Sequence, residues 1–196
     1  MAKGLAVWLG GVVLAAALAM GAIYFIAHDP APPASSIAMP TDIQLVDQKG
    51  RPFTAKDLRG KPTAIFFGFT YCPEICPTTL VDMGRWLEAL GPDADKLNIV
   101  FVSIDPERDT QAQLATYLSS FDPRIRGVTG DPAAIAAMAK GFHAYYRKVP
   151  QAGGEYTMDH STAVYLMDAK GRFVAPLGYQ ESLDRVVPKL KQLIAA

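Results

Sequence analysis

The chain has 196 residues, enough for one domain of ordinary size plus an appendage. Half of them are apolar and Gly and Pro are unexceptional, which excludes disordered and low-complexity classes. The 19 Lys and Arg balance the 19 Asp and Glu, so no bulk basicity points to nucleic acid, and no internal repeat is visible.

The appendage comes first. After Lys3 the run Gly4 to Ala27 is uncharged. Its roughly 24 residues, at about 1.5 Å each, reach about 36 Å as a helix and cross a hydrocarbon core of about 30 Å. Trp8 and Tyr24 lie near its two ends, and Lys3 before it and Asp29 after it favour an N-terminus in the cytoplasm. A cleaved signal peptide is the alternative, with Ala17-Leu18-Ala19 as its cleavage signal. The run continues to Ala27, longer than the usual secretory stretch of about 7–15 residues, so residues 1–28 are expected to be an uncleaved transmembrane anchor. Both readings export the remainder, and no Arg- and Ser-rich presequence precedes the run. The expected location is therefore the outer, periplasmic face of a bacterial plasma membrane. Residues 29–40, DPAPPASSIAMP, are a Pro/Ala-rich tether with no means of building a core. Residues 41–196 form the expected domain, large enough to bury a core without a staple.

Within that domain, IQLVD and RPFTA flank Gln48 to Gly50 as a hairpin. TAIFFGFT (63–70) is an apolar, β-branched run of the kind buried on both faces of a sheet. A helix follows from Pro77, with Leu80, Met83, Leu87 and Leu90 on one stripe and Gly91-Pro92 as its stop. NIVFVSID (98–105) is a second buried strand, and a helix over 109–121 takes Asp109 as its N-cap. IRGVT is a short strand. Asp131 caps a helix whose stripe is Ile135, Met138, Ala139 and Phe142. After a Gly-containing loop, STAVYLMD and RFVAPL flank Ala169 to Gly171 as a hairpin, and a last helix runs from about Leu183 to Ile194. This order predicts an α/β fold: a thioredoxin-like domain with an added N-terminal β-hairpin, with flavodoxin-like folds as the rival. In both, the loop after a central strand is a favoured ligand site.

That loop, GFTYCPEICPTTL (68–80), holds the only two cysteines. Cys72 and Cys76, four apart at the start of a helix, put both sulfurs on one side of the turn. The unsatisfied N–H groups there favour thiolate. Pro73 and Pro77 remove backbone donors, and Pro77 suits a first turn. A plain disulfide gains little across so short a loop. A redox couple and part of a metal site both remain. Two thiolates are too few for a closed zinc site, whereas Cu(I) is satisfied by two thiolates and one imidazole. Of the three histidines, His28 adjoins the membrane end of the tether and His143 adjoins an apolar helical stripe. His160, in TMDHST at the entry to STAVYLMD, faces the first core helix in thioredoxin-like topology.

CPEICPTTL, DPERDT (105–110) and MDHSTAVYLMDAKG, in this order and with the anchor, resemble the Sco/SenC proteins. The resemblance covers roughly 40–193, including TGD at 129–131 and the Tyr145-Tyr146 pair. It implies a thioredoxin-like fold and one copper, as Cu(I) with Cu(II) as a second state, held by Cys72, Cys76 and His160. It also implies delivery of copper to the Cu(A) centre of cytochrome c oxidase subunit II, reduction of that centre's cysteines, or both, with an upstream periplasmic copper donor. Glu74 stands where family members more often carry Asp. A carrier rather than an enzyme with turnover is expected. The alternatives are a thiol–disulfide oxidoreductase using Cys72 and Cys76 as its redox pair, and a peroxiredoxin-type peroxidase. The second is suggested by Thr70, which lies two residues before Cys72 rather than three.

Overall fold

The computed structural model describes residues 37–196. The expected membrane anchor, and the tether up to residue 36, lie outside the described residues. Among those described, no helix is long and apolar enough to cross a membrane.

The elements follow in the order β1 (Leu45–Asp47), β2 (Pro52–Phe53), β3 (Thr63–Gly68), α1 (Ile75–Leu90), β4 (Asn98–Ser103), α2 (Gln111–Leu118), β5 (Ile125–Thr129) and α3 (Pro132–Gly141). Then come β6 (Tyr146–Pro150), β7 (Tyr156–His160), β8 (Val164–Met167), β9 (Phe173–Leu177) and α4 (Leu183–Ala195). Seven of these strands form one sheet in the order β2-β1-β5-β4-β3-β8-β9. β3, β4 and β5 are parallel, as β-α-β crossovers require, and β8 returns antiparallel against β3. This is a thioredoxin-type α/β arrangement, with the β1–β2 hairpin added at the β5 edge.

The central strands are central because of their sequence. All six residues of β3 are buried, as are five of six in β4, so neither face can meet water. Leu80, Met83, Leu87 and Leu90 of α1 are all buried in the same core, as are Ile135, Met138, Ala139 and Phe142 around α3. The added hairpin is held by charge as well as pairing. Buried Asp47 accepts the backbone N–H of Lys49 and of Arg51, and its carboxylate also meets Arg51 and, on β5, Arg126. Burial pushes the Asp47 carboxyl up, and these hydrogen bonds outweigh it and hold the group below its usual range.

Two local features differ from the sequence expectation. The stretch between α3 and β8 is not a plain loop: β6 and β7 pair antiparallel from Tyr146↔His160 to Pro150↔Tyr156 as a separate two-stranded ribbon. The N-cap of α2 is Thr110, whose Oγ1 accepts the N–H of Gln113 at 3.2 Å. Asp109 turns inward instead. Its carboxylate accepts the Thr70 N–H at 2.9 Å, the Thr70 hydroxyl at 2.6 Å and the Ser103 hydroxyl at 2.6 Å. The Asp109 carbonyl accepts the Thr129 hydroxyl at 2.9 Å. One buried side chain thus ties the ends of β3 and β4 together, directly beneath the cysteine loop. Asp109→Ala strands three donors in a buried place and is expected to cost about 2–4 kcal/mol. Urea denaturation checks this, with a lower midpoint at an unchanged slope.

Candidate metal and redox site

The cysteine loop leaves β3 at Gly68 and enters α1 at Ile75. Glu74 occupies the N-cap position but its side chain makes no capping bond. The donor it leaves open is taken by sulfur: the Cys76 N–H points at Cys72 Sγ at 3.3 Å. Cys72 is therefore a thiolate candidate seated on a helix N-terminus. Its thiol is held down to about 4, first by the hydrogen bond with the Cys76 side chain, against the opposing effect of burial, and then by His160 and the N–H groups of Cys76 and Glu74. Cys76 goes the other way. It is fully buried, and desolvation, followed by the neighbouring Cys72, pushes its thiol far up. The pair is reduced, with Cys72 half-buried and Cys76 inside.

Gly68 sets where the Cys76 sulfur can lie. A Cβ at this position would come within 2.7 Å of Cys76 Sγ and 2.7 Å of Phe101 Cε2. The hydrogen at Gly68 is thus what admits both the sulfur and the ring.

His160 arrives from β7, at the end of the ribbon. Its Nε2 lies 3.5 Å from Cys76 Sγ. The ring is fixed edge-on against Phe69 and Phe66, with centroids at 5.7 and 6.0 Å. Cys72, Cys76 and His160 each offer one ligand atom, all within 4.8 Å of one another. Metal–sulfur and metal–nitrogen bonds of about 2.0–2.3 Å put trigonal donors about 3.5–4 Å apart, so a small contraction closes the set on an ion. Two sulfurs and a neutral imidazole are a soft, low-coordinate set suited to Cu(I). A cavity of about 460 Å³ opens beside it, lined by Cys72, His160, Pro73, Glu74 and Tyr145 among others.

The three residues singled out in the sequence thus converge. The other candidates do not. His28 lies outside the described residues. His143 follows α3 in a left-handed conformation, φ 52°. Thr70, the basis of the peroxidase alternative, gives its hydroxyl to Asp109. Asp105, the first residue of the DPERDT motif, is turned to other partners: its carboxylate accepts the Tyr156 hydroxyl at 2.8 Å and pairs with Arg108. Gly68 and Arg108 went unnoticed in the sequence. The only signal for either was its place inside a motif.

A family model described as SCO1/SenC matches residues 33–195. The mitochondrial protein SCO1 of Saccharomyces cerevisiae is 40% identical over 159 residues, covering 78% of this chain and 54% of its own length. The mitochondrial SCO2 homolog of Mus musculus is 38% identical over 159 residues, covering 79% of this chain and 62% of its own length. The chain therefore spans between about half and two thirds of these curated relatives. The structure of Bradyrhizobium japonicum ScoI with copper bound superposes with a TM-score of 0.75 at 49% identity, covering 80% of this chain and 99% of that one.

Two outcomes follow from the geometry. Gly68→Ala is expected to cost about 1–3 kcal/mol by overpacking, with partial recovery when Phe101→Leu is added, read by urea denaturation. Iodoacetamide should alkylate Cys72 in preference to Cys76, at a rate that falls with acid through about pH 4 and is flat above about pH 6. In Cys76→Ala the largest cause of the low value is gone, and the plateau should begin at higher pH.

Proposed function

Because the chain belongs to the SCO1/SenC family, we propose that it is a membrane-anchored copper carrier that binds one copper through Cys72, Cys76 and His160 and delivers it to the Cu(A) centre of cytochrome c oxidase subunit II during assembly. The observation that carries this reading is the convergence of two sulfurs and an imidazole nitrogen within 4.8 Å, at the mouth of a cavity. Copper is the cargo. Two thiolates and a neutral imidazole give the Cu(I) site a charge near −1, and an incoming Cys or His of a partner can enter from the cavity side and exchange with Cys72 or His160. Cys76 lies deepest and is the last ligand to be reached. The uncharged run 4–27 supports a single-pass anchor that holds the domain on the periplasmic side of a bacterial plasma membrane, where an upstream copper donor loads it. The balanced charge supports no nucleic-acid role.

A second reading is favoured by the asymmetry of the cysteines: a reductant of the Cu(A)-site disulfide. The half-buried Cys72 thiolate attacks one partner sulfur, forming a mixed disulfide and releasing a partner thiolate. The Cys76 thiol, losing its proton, then attacks Cys72 and releases the second partner thiolate. Two electrons pass to the partner, and the Cys72–Cys76 disulfide that results must be reduced again by an external thiol. It also removes two copper ligands at once, so metal loading and redox state are coupled in either reading.

A Cu(I) titration of the reduced full chain should give one ion per chain, with affinity falling at least about a hundredfold when Cys76→Ser and His160→Ala are combined. Affinity left unchanged in that pair of substitutions ends the carrier reading. Complementation of oxidase assembly separates the two roles. Loss with His160→Ala supports the carrier, whereas full assembly with His160→Ala and none with Cys72→Ser or Cys76→Ser makes reduction the main work.

A further inference from the structure

The site is assembled from two pieces that share no backbone pairing. Cys72 and Cys76 belong to the loop between β3 and α1. His160 belongs to the β6–β7 ribbon, whose backbone hydrogen bonds, among the described residues, close on itself and on the neighbouring Tyr145–Ser161 turn. Something else must hold the ribbon over the cysteines. Tyr146, Tyr156 and Met158 pack against the core. Beyond that packing and His160 itself, the ribbon's polar ties to the rest of the domain, among the described residues, all end on one tetrapeptide, Asp105 to Arg108. The Tyr156 hydroxyl donates to Asp105, Lys148 pairs with Glu107 at 2.6 Å, and Arg108 Nη1 donates to the Tyr156 carbonyl at 2.9 Å.

Arg108 makes the most of these ties. Its side chain is 18% exposed, and its Nε pairs with the fully buried Asp105 carboxylate. Its guanidinium lies over the Tyr156 ring at 3.7 Å, over the Tyr71 ring at 4.7 Å and near the Phe69 ring at 6.0 Å. Phe69 and Tyr71 are in the cysteine loop, and Tyr156 begins β7. Nη2 is buried with no hydrogen-bond partner among the described residues. Burying a guanidinium with one donor unpaired is costly, and π faces on several sides offset part of that cost. An arginine kept in such a place for packing alone would be better replaced by an apolar side chain.

We propose that Arg108 is a positioning residue of the metal site: its guanidinium clamps the ribbon that carries His160 to the loop that carries Cys72 and Cys76, and so sets the imidazole's reach to the sulfurs. The copper part of this inference rests on the proposed function. The clamp itself does not. Among the described residues Arg108 makes no hydrogen bond, ion pair or ring contact with the three ligand side chains, and it acts through Tyr71, Phe69 and Tyr156. Lysine is a poor substitute, since it carries the charge but lacks the planar fork that meets Asp105 and the Tyr156 carbonyl together.

The test has two arms, both on the full chain. In the metal-free reduced protein, amide hydrogen exchange is compared between the parent and Arg108→Ala. Exchange within 147–149 and 157–159 should speed up by more than about tenfold while β3 and β4 amides stay as in the parent. Unchanged protection in the ribbon overturns the clamp. In the second arm, Arg108→Ala should weaken Cu(I) binding by about ten- to a hundredfold, the range for groups that orient a metal ligand. On a His160→Ala background the same substitution should cost nothing further, because it acts through the imidazole. An equal loss in both backgrounds overturns the positioning role. Should Arg108→Ala not fold, Arg108→Lys and Tyr156→Leu are read the same way, with smaller effects of the same sign. If the parent binds no copper, the carrier reading falls, and the exchange arm still decides the clamp.

Discussion

The hydrogen bond from the Cys76 N–H to Cys72 Sγ serves the fold and the chemistry with the same atoms. A helix beginning at Ile75 leaves its first N–H groups without intrahelical partners, and Glu74 does not cap them. The sulfur of Cys72 takes that place, so the helix N-terminus is satisfied only while Cys72 stays where a metal or a partner sulfur can find it. A spacing of four is what permits this. Cys72 sits one turn before Cys76, outside the helix, and the N–H it accepts belongs to the residue whose own sulfur completes the pair. Oxidation, metal loading and capping therefore compete for one sulfur atom.

The two cysteines are made unequal by depth. Gly68 lets Cys76 sink against Phe101 at the end of β3, where desolvation keeps it a thiol. Cys72 remains at the rim as a thiolate. Supporting this loop from below, Asp109 holds Thr70 by both its N–H and its hydroxyl. A carboxylate buried there is raised by desolvation, against the hydrogen bonds from Ser103 and Thr70, so the support is itself an electrostatically strained group placed close to the sulfurs. The three donors of the site are held unequally. Its deepest ligand is fixed, its outer ligand is charged and accessible, and its third arrives on a separate piece of chain.

How much of this was legible in the sequence depended on the range of the interaction involved. β3 and β4 announce themselves by runs that no solvated strand could carry, and α1 by a stripe of four buried residues, because burial on a regular element leaves a period. The ribbon left none. YRKVP and YTMDH bury little beyond Met158, with Arg147, Lys148 and Asp159 facing water, so neither alternation nor an apolar run marks them. Asp109 was misassigned for a related reason. Beside a helix start an Asp is a good N-cap by any local rule, and only Thr70, 39 residues earlier, reveals why it points inward and leaves the cap to Thr110. The three ligands were legible because their chemistry is scarce: the chain has two cysteines and three histidines to choose from. Arg108 is one of many basic residues, and its meaning lies in rings brought from two separate segments.

That contrast bears on how the site came to be split. A ligand triad confined to one loop would be rigid by construction. Here the third ligand is carried on a two-stranded ribbon with no pairing to the main sheet. Left to itself such a ribbon would rarely hold an imidazole within 3.5 Å of a buried sulfur. The arginine that spans Asp105, Tyr71 and Tyr156 supplies the missing constraint without adding a strand or a covalent link. The site gains order from a guanidinium that keeps one donor unpaired and faces aromatic rings from both pieces of chain.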